Sequence, residues 1–246
     1  KKKKILITGG AGYIGSTVAR DLEKKFKILI VDNLVSGNRK LLKKNYVFYK
    51  FDCGDKKKLK KIINEHKINT LIHLAASLSV EDSQKQKKYY YKNNYLNTKN
   101  IIDVCNESKS LEKIIFSSTS AVYGSLKNLK INVNEKMKTK PISYYGYTKK
   151  ICEDYIIKNS KKKFIILRYF NVVGSESKIN CGIVDKKSKQ LFANLNRSII
   201  KRENKINVYG SNYSTKDGTC VRDYIHVSDI AYIHRLCIQY LNKNNS

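Results

Sequence analysis

The segment Ser143-Tyr144-Tyr145-Gly146-Tyr147-Thr148-Lys149-Lys150 holds one Tyr-x-x-x-Lys pair, Tyr145 with Lys149. On a helix that spacing puts a phenol and an ammonium on the same face. A free tyrosine has a pKa of about 10 and is a poor base near neutrality. A neighbouring positive charge favours the phenolate, which can then take a proton from a substrate hydroxyl. In a chain with 18 tyrosines the pair alone also fits an ordinary helix start. Its weight comes from Phe116-Ser117-Ser118-Thr119-Ser120-Ala121-Val122-Tyr123-Gly124, a hydroxyl cluster that follows an apolar run. Ser/Thr clusters after strands commonly form turns. At a strand end, however, such a hydroxyl can also hold the oxygen whose proton the tyrosine removes.

A second constellation lies near the N-terminus. Gly9, Gly12 and Gly15 sit between the apolar run Ile5-Leu6-Ile7 and a helical pattern from Ile14 to Lys24. Glycines here permit a tight turn and close backbone approach to a pyrophosphate, and the helix N-terminus offers its N–H groups to the phosphates. Asp32 ends the next strand, where a carboxylate can bind the adenosine ribose and would repel an extra phosphate. The expected cofactor is therefore NAD, with Arg39 keeping NADP as the lesser alternative. Asp52, after the third strand, could meet the adenine amino group. The small side chains of Leu74-Ala75-Ala76 let the chain approach a cofactor. Asn94 reads as part of a solvated helix face.

The elements that must position these groups alternate regularly. Strands are expected at Ile5–Ile7, Lys27–Val31, Tyr46–Phe51, Thr70–Ala75, Lys113–Ser117 and Phe164–Tyr169. Helices are expected at Ile14–Lys24, Lys56–His66, Ser83–Ser108 and Tyr145–Asn159. Short apolar strands alternating with helices predict an α/β fold, a doubly wound parallel sheet with its ligand crevice at the carboxyl ends of the strands. After Asn171 the alternation weakens: a helix over Val184–Arg202, a strand over Lys205–Val208 and a helix over Ser228–Leu241 are expected.

Composition excludes several classes. The formal charge is +30, but the lysines are spread along the whole chain and form no recognition arm, so specific nucleic-acid binding is not expected. Abundant Lys, Asn, Ile and Tyr beside a single proline read as codon bias of an AT-rich genome. The six cysteines form no C-x-x-C pair, so no zinc or redox site is expected. No apolar run reaches membrane-spanning length, and the stretch after Lys1–Lys4 is too short for a signal core. A cytoplasmic protein without a membrane partner is the expectation.

With these residues in hand, the chain resembles the UDP-glucose 4-epimerase family over essentially its whole length. The resemblance rests on TGGAGYIGS, VDNL, SSTSAVYG, YGYTK, LRYFNVVG and the long YGSNYSTKDGTCVRDYIHVSD, Tyr209 to Asp229. It implies Tyr145 as the base, Lys149 as its partner and nicotinamide-ribose ligand, and Thr119 as the hydroxyl holding sugar O4. For the cofactor it implies Gly9, Gly12, Tyr13, Ile14, Gly15, Asp32, Asn33, Leu34, Ser36, Asp52, Cys53, Leu74, Ala75, Ala76, Asn94 and Phe170. For the UDP-sugar it implies Asn171, Gln190, Leu191, Tyr209 and Arg222, the last offering a fork of donors to the diphosphate. The implied reaction is transient oxidation at sugar C4 by tightly bound NAD that is regenerated in each turnover. A homodimer through the helices of Ser83–Ser108 and Tyr145–Asn159 is likewise implied.

The expected division is an NAD-binding domain over 1–171 and the start of a UDP-sugar lobe over 172–246, with 220–246 packing back on the first domain. The family's last uracil and ribose contacts have no counterpart, so the sequence reads as a C-terminally truncated fragment. Val172 and Ala193 replace common prolines, and Leu78 stands where some members carry a cofactor-contacting lysine. A dehydratase or decarboxylase on the same fold would need an acid and a base beside Thr119. Ser120 and Ala121 supply neither. A non-catalytic NAD-binding regulator would need a degraded catalytic set.

Overall fold

The computed structural model describes residues 2–125, 132–175, 190–203, 206–208 and 210–243. Six parallel strands form one sheet: β1 (Lys4–Thr8), β2 (Lys27–Asp32), β3 (Val47–Lys50), β4 (Thr70–His73), β5 (Lys113–Thr119) and β6 (Lys163–Tyr169). Their spatial order is β3-β2-β1-β4-β5-β6. The order reverses between β1 and β4, which opens a crevice above the carboxyl ends of those two strands.

The strands are apolar without alternation because both sheet faces are covered. Successive side chains point to opposite faces. Ile5 and Ile7 of β1 pack with Ile30, Ile72 and Ile115 beneath α1 (Tyr13–Leu22). Leu6 packs with Leu29, Leu71, Ile114 and Phe116 on the other face. That second face is covered by α2 (Lys56–His66), then, further along the chain, by the segment up to Glu107 and the helix starting at Tyr144. Asp55 caps α2 by accepting from Lys58 N at 3.1 Å, and Lys67 ends it at φ 51°. The lysines of α2 project outward, pairing with Asp103, Glu107 and Glu65.

The stretch expected as one helix over Ser83–Ser108 is divided. It comprises α3 (Val80–Lys85), α4 (Lys87–Tyr90), a π-helical turn over Tyr91–Leu96 and α5 (Asn97–Glu107). Gln86, at φ −118° and ψ 46°, breaks the first two apart. Beyond these, α6 (Tyr144–Asn159) begins at Ser143, whose hydroxyl accepts from Gly146 N at 3.0 Å. The expected Val184–Arg202 helix is observed as α7 (Leu191–Ile200), while residues 184–189 lie outside the described ones. The expected strand over Lys205–Val208 is not formed: residues 206–208 are irregular, and Lys205 lies outside the described residues. Two short strands that the sequence did not suggest, β7 (Asn171–Val173) and β8 (Tyr224–His226), pair in parallel instead. The pairing joins segments far apart in sequence, so no local pattern could announce it.

The last helix, α8 (Val227–Lys243), lies against α1 and the sheet, burying Ala231, Ile238 and Leu241, with Arg235 bonded to Asp21 at 3.1 Å. Five cysteines, Cys53, Cys105, Cys152, Cys220 and Cys237, are unpaired, and Cys181 lies outside the described residues. Among the described residues no helix is long and apolar enough to cross a membrane.

Candidate active site

A cavity of about 380 Å³ occupies the crevice. Its lining brings together Gly9, Gly12, Tyr13, Ile14 and Gly15 from the first turn, Asp32, Asn33 and Ser36 after β2, and Asp52 and Cys53 after β3. Leu74, Ala75 and Ala76 after β4, Thr119 from β5, Tyr145 from α6, and Phe170, Asn171 and Gln190 complete the expected set that it collects.

The glycine turn is sterically required. Gly9 has φ +71°, and a Cβ there would lie 2.6 Å from Ala75 N. A Cβ on Gly15 would come closer still to the Gly9 carbonyl oxygen, a backbone atom that cannot swing aside. Replacing Gly15 by alanine is therefore expected to weaken NAD binding about tenfold or more, read by isothermal titration, because the turn must deform. Gly12, at the head of α1, has no side chain to cap the first turn, so the N–H groups there face the cavity uncapped. Such a terminus suits an anion.

Asp32 is buried, and its carboxylate accepts from Ala11 N at 3.0 Å and from Leu34 N at 2.8 Å. It thus pins the glycine turn and holds Leu34 at φ 62°, while each oxygen keeps a second lone pair for a ribose hydroxyl. Leu34 itself does not line the cavity; its side chain packs on the core. Asp52 accepts from Gly54 N and Asn97 Nδ2, both at 2.8 Å.

Tyr145 is 8% exposed. Burial pushes its phenol up to about 12, and the Thr119 hydroxyl opposes this only in part. The sequence implied a lowered value. The reason for the difference is burial, the largest influence on the phenol, while the Lys149 ammonium rests 4.5 Å from the centre of the Phe116 ring. Lys149 is 3% exposed and does not line the cavity. Burial pushes it down to about 8, with Cys152 and Glu153 acting the other way.

Asn94 is buried in the π-helical turn, not on the solvated face that the sequence suggested. Its amide brackets Ser77, accepting from Ser77 N at 2.8 Å and donating to Ser77 O at 3.1 Å, so Ser77 and Asn93 reach the cavity and Asn94 does not. Leu191 is 48% exposed, Arg222 is exposed, and neither lines the cavity. Tyr209 lies outside the described residues. Tyr89 and Tyr169 line the cavity without having been singled out in sequence. Tyr169 stands inside the LRYFNVVG segment, which is the signal that marks it; Tyr89 and Asn93 carry none.

Strand order and crevice together define a dinucleotide-binding protein of the doubly wound class. Residues 5–246 match the NAD dependent epimerase/dehydratase family, and the chain belongs to that family. It is 35% identical to a UDP-glucose 4-epimerase of Lactobacillus helveticus, over 98% of this chain and 74% of the relative. It is 36% identical to a UDP-glucose 4-epimerase of Halalkalibacterium halodurans, over 98% and 72% respectively. Among solved structures, UDP-glucose 4-epimerase from Brucella ovis in complex with NAD superposes with a TM-score of 0.89 at 32% identity, covering 98% of this chain and 74% of that one. NAD is the cofactor, and the uncapped helix terminus beside Asp32 suits its pyrophosphate and ribose.

Proposed function

We propose that this protein is a UDP-sugar 4-epimerase interconverting UDP-glucose and UDP-galactose. The observation that carries this reading is that Tyr145 and Thr119 line the same cavity as the glycine turn and Asp32. NAD, when bound, supplies the two-electron exchange with sugar C4. Gly9, Gly12 to Gly15 and Asp32 hold its pyrophosphate and ribose, with Asn33, Ser36, Asp52, Cys53, Leu74 to Ala76 and Phe170 around the rest. Thr119 orients the sugar 4-oxygen, and Tyr145 removes its proton and returns one when the hydroxyl re-forms. Lys149 supplies the positive charge that the phenolate requires. Asn171 and Gln190 form the sugar-nucleotide side, with Leu191, Tyr209 and Arg222 belonging to the same lobe.

Incubation of the protein and NAD with UDP-glucose, UDP-N-acetylglucosamine and a UDP-pentose separately tests this. The expected result is UDP-galactose from UDP-glucose, with no net consumption of NAD. A 4-keto-6-deoxy product would overturn the reading in favour of a dehydratase. We also propose a division into 1–171 for the cofactor and 172–246 for the start of the substrate lobe, with 220–246 packing back on the first domain, and a cytoplasmic homodimer through α3 to α6. Exposed Tyr91, Tyr147 and Ile157 on those helices support the dimer, which sedimentation analysis reads directly.

A further inference from the structure

His73, the last residue of β4, is 2% exposed and lies directly beneath the cavity floor of Leu74 to Ala76. Its Nδ1 is 2.7 Å from the Thr8 hydroxyl at the end of β1, and its Nε2 is 2.9 Å from the Thr98 hydroxyl on α5. The Thr98 hydroxyl donates to the Asn94 carbonyl at 2.6 Å. A hydroxyl has one proton to give, so Thr98 must accept from His73. Nε2 therefore carries the ring proton, Nδ1 is bare, and Thr8 donates to it. The chain of donors runs in one direction, from Thr8 through His73 and Thr98 to Asn94.

Asn94 passes the connection on. Its Nδ2 donates to the Thr148 hydroxyl at 3.2 Å, and Thr148 donates to the Tyr145 carbonyl at 2.7 Å. The same Asn94 amide brackets Ser77 on the cavity wall. Within the π-helical turn the carbonyl of Asn94 receives the Asn97 N–H, the Thr98 hydroxyl and, at 3.5 Å, the Cys152 thiol of α6. Thr8, His73, Thr98, Asn94 and Thr148 all lie outside the cavity lining. They join the root of the glycine turn to the backbone of the base.

We propose that His73, as the neutral Nε2–H tautomer, is a positioning residue that fixes the glycine turn and the Tyr145-bearing helix relative to each other. The groups facing its ring are Thr8 of β1, Thr98 of α5, the Phe116 ring of β5 at 5.6 Å between centroids, and the charge of Lys149 on α6. Only Lys149 among them titrates, and its charge, added to burial, pushes His73 down to about 3. A protonated ring would lose the acceptor that Thr8 uses and would set a second cation near Lys149.

The test uses the whole protein labelled with ¹⁵N-histidine, the His73 signals being assigned by their loss in His73→Gln. The expected spectrum is an Nε2–H imidazole that does not titrate between about pH 5 and 8. An Nδ1–H ring, or one that protonates in that range, overturns the proposal. Thr98→Val removes the acceptor while keeping the shape of the site. It is expected to weaken NAD binding and lower kcat by about tenfold each, with KM for the sugar nucleotide little changed. His73→Gln, which can still accept from Thr8 and donate to Thr98, should retain most of both, and His73→Leu neither. Unchanged NAD affinity and kcat in Thr98→Val overturns the positioning role. The tautomer and NAD measurements need no sugar, so they stand or fall separately from the proposed epimerisation on which the kcat comparison rests.

Discussion

Tyr145→Phe is expected to slow sugar interconversion by about 10²- to 10⁴-fold while leaving NAD bound. The phenylalanine ring fills the same buried position at the start of α6, so the loss isolates the phenol oxygen. Lys149→Met should cost a comparable factor, and the double variant little more than either alone, because the two groups act as a unit. Single-turnover rates with saturating UDP-glucose check all three. The pH dependence has a definite sign. Lys149 is pushed down to about 8 by burial, so its charge is lost as pH rises through that value, and wild-type kcat/KM should fall above about pH 8. The same depressed value makes Lys149 a stability cost at neutral pH. Below about pH 8 it is charged in both folded and unfolded states, yet in the fold that charge is desolvated. Converting its displacement from 10.5 to about 8 gives on the order of 3 kcal/mol. Lys149→Met, which keeps the apolar stem and removes the buried charge, should therefore raise the thermal midpoint as it slows turnover.

Much of this site can be read in the sequence because its parts are local. The glycine turn, Asp32 at the end of β2, and the four-residue spacing of Tyr145 and Lys149 each lie within one short segment. The strand sequences are apolar throughout because both faces are covered, and this announces the doubly wound sheet. What stayed hidden depends on three-dimensional detail. Hydrophobic periodicity shows that 83–108 is helical but cannot show the break at Gln86 or the π-helical turn that swings Asn94 inward and gives the cavity to Asn93. Spacing puts Lys149 on the face of Tyr145, but it does not say that the ammonium rests against Phe116. The β7–β8 pair joins Asn171 to Tyr224, and only tertiary structure records it. Arg222 and Leu191, inferred by resemblance, lie outside the cavity because their neighbourhood is built by that distant pairing and by α7.

The second large effect concerns an ion pair to which neither spacing nor resemblance assigned a role. Glu153, 1% exposed and one helical turn beyond Lys149, accepts from Arg168 Nε at 3.0 Å and Nη2 at 2.7 Å, and from the Ser118 hydroxyl. The guanidinium lies 4.9 Å from the centre of the Tyr123 ring. The pair locks α6 onto β5 and β6 directly beside Thr119. Arg168→Met removes the countercharge and strands a buried carboxylate, so a loss of about 3–5 kcal/mol is expected in urea unfolding. Adding Glu153→Leu removes the stranded charge and should recover most of that loss. The pH profile separates stability from electrostatics. Glu153 helps to hold the Lys149 proton. With Arg168 gone, the whole carboxylate charge acts on Lys149, and the basic limb of kcat/KM should move above its wild-type position. In the double variant that support vanishes, and the limb should move below it. A shift in the same direction for both variants would show that the carboxylate does not reach the ammonium, leaving the pair with a purely architectural role.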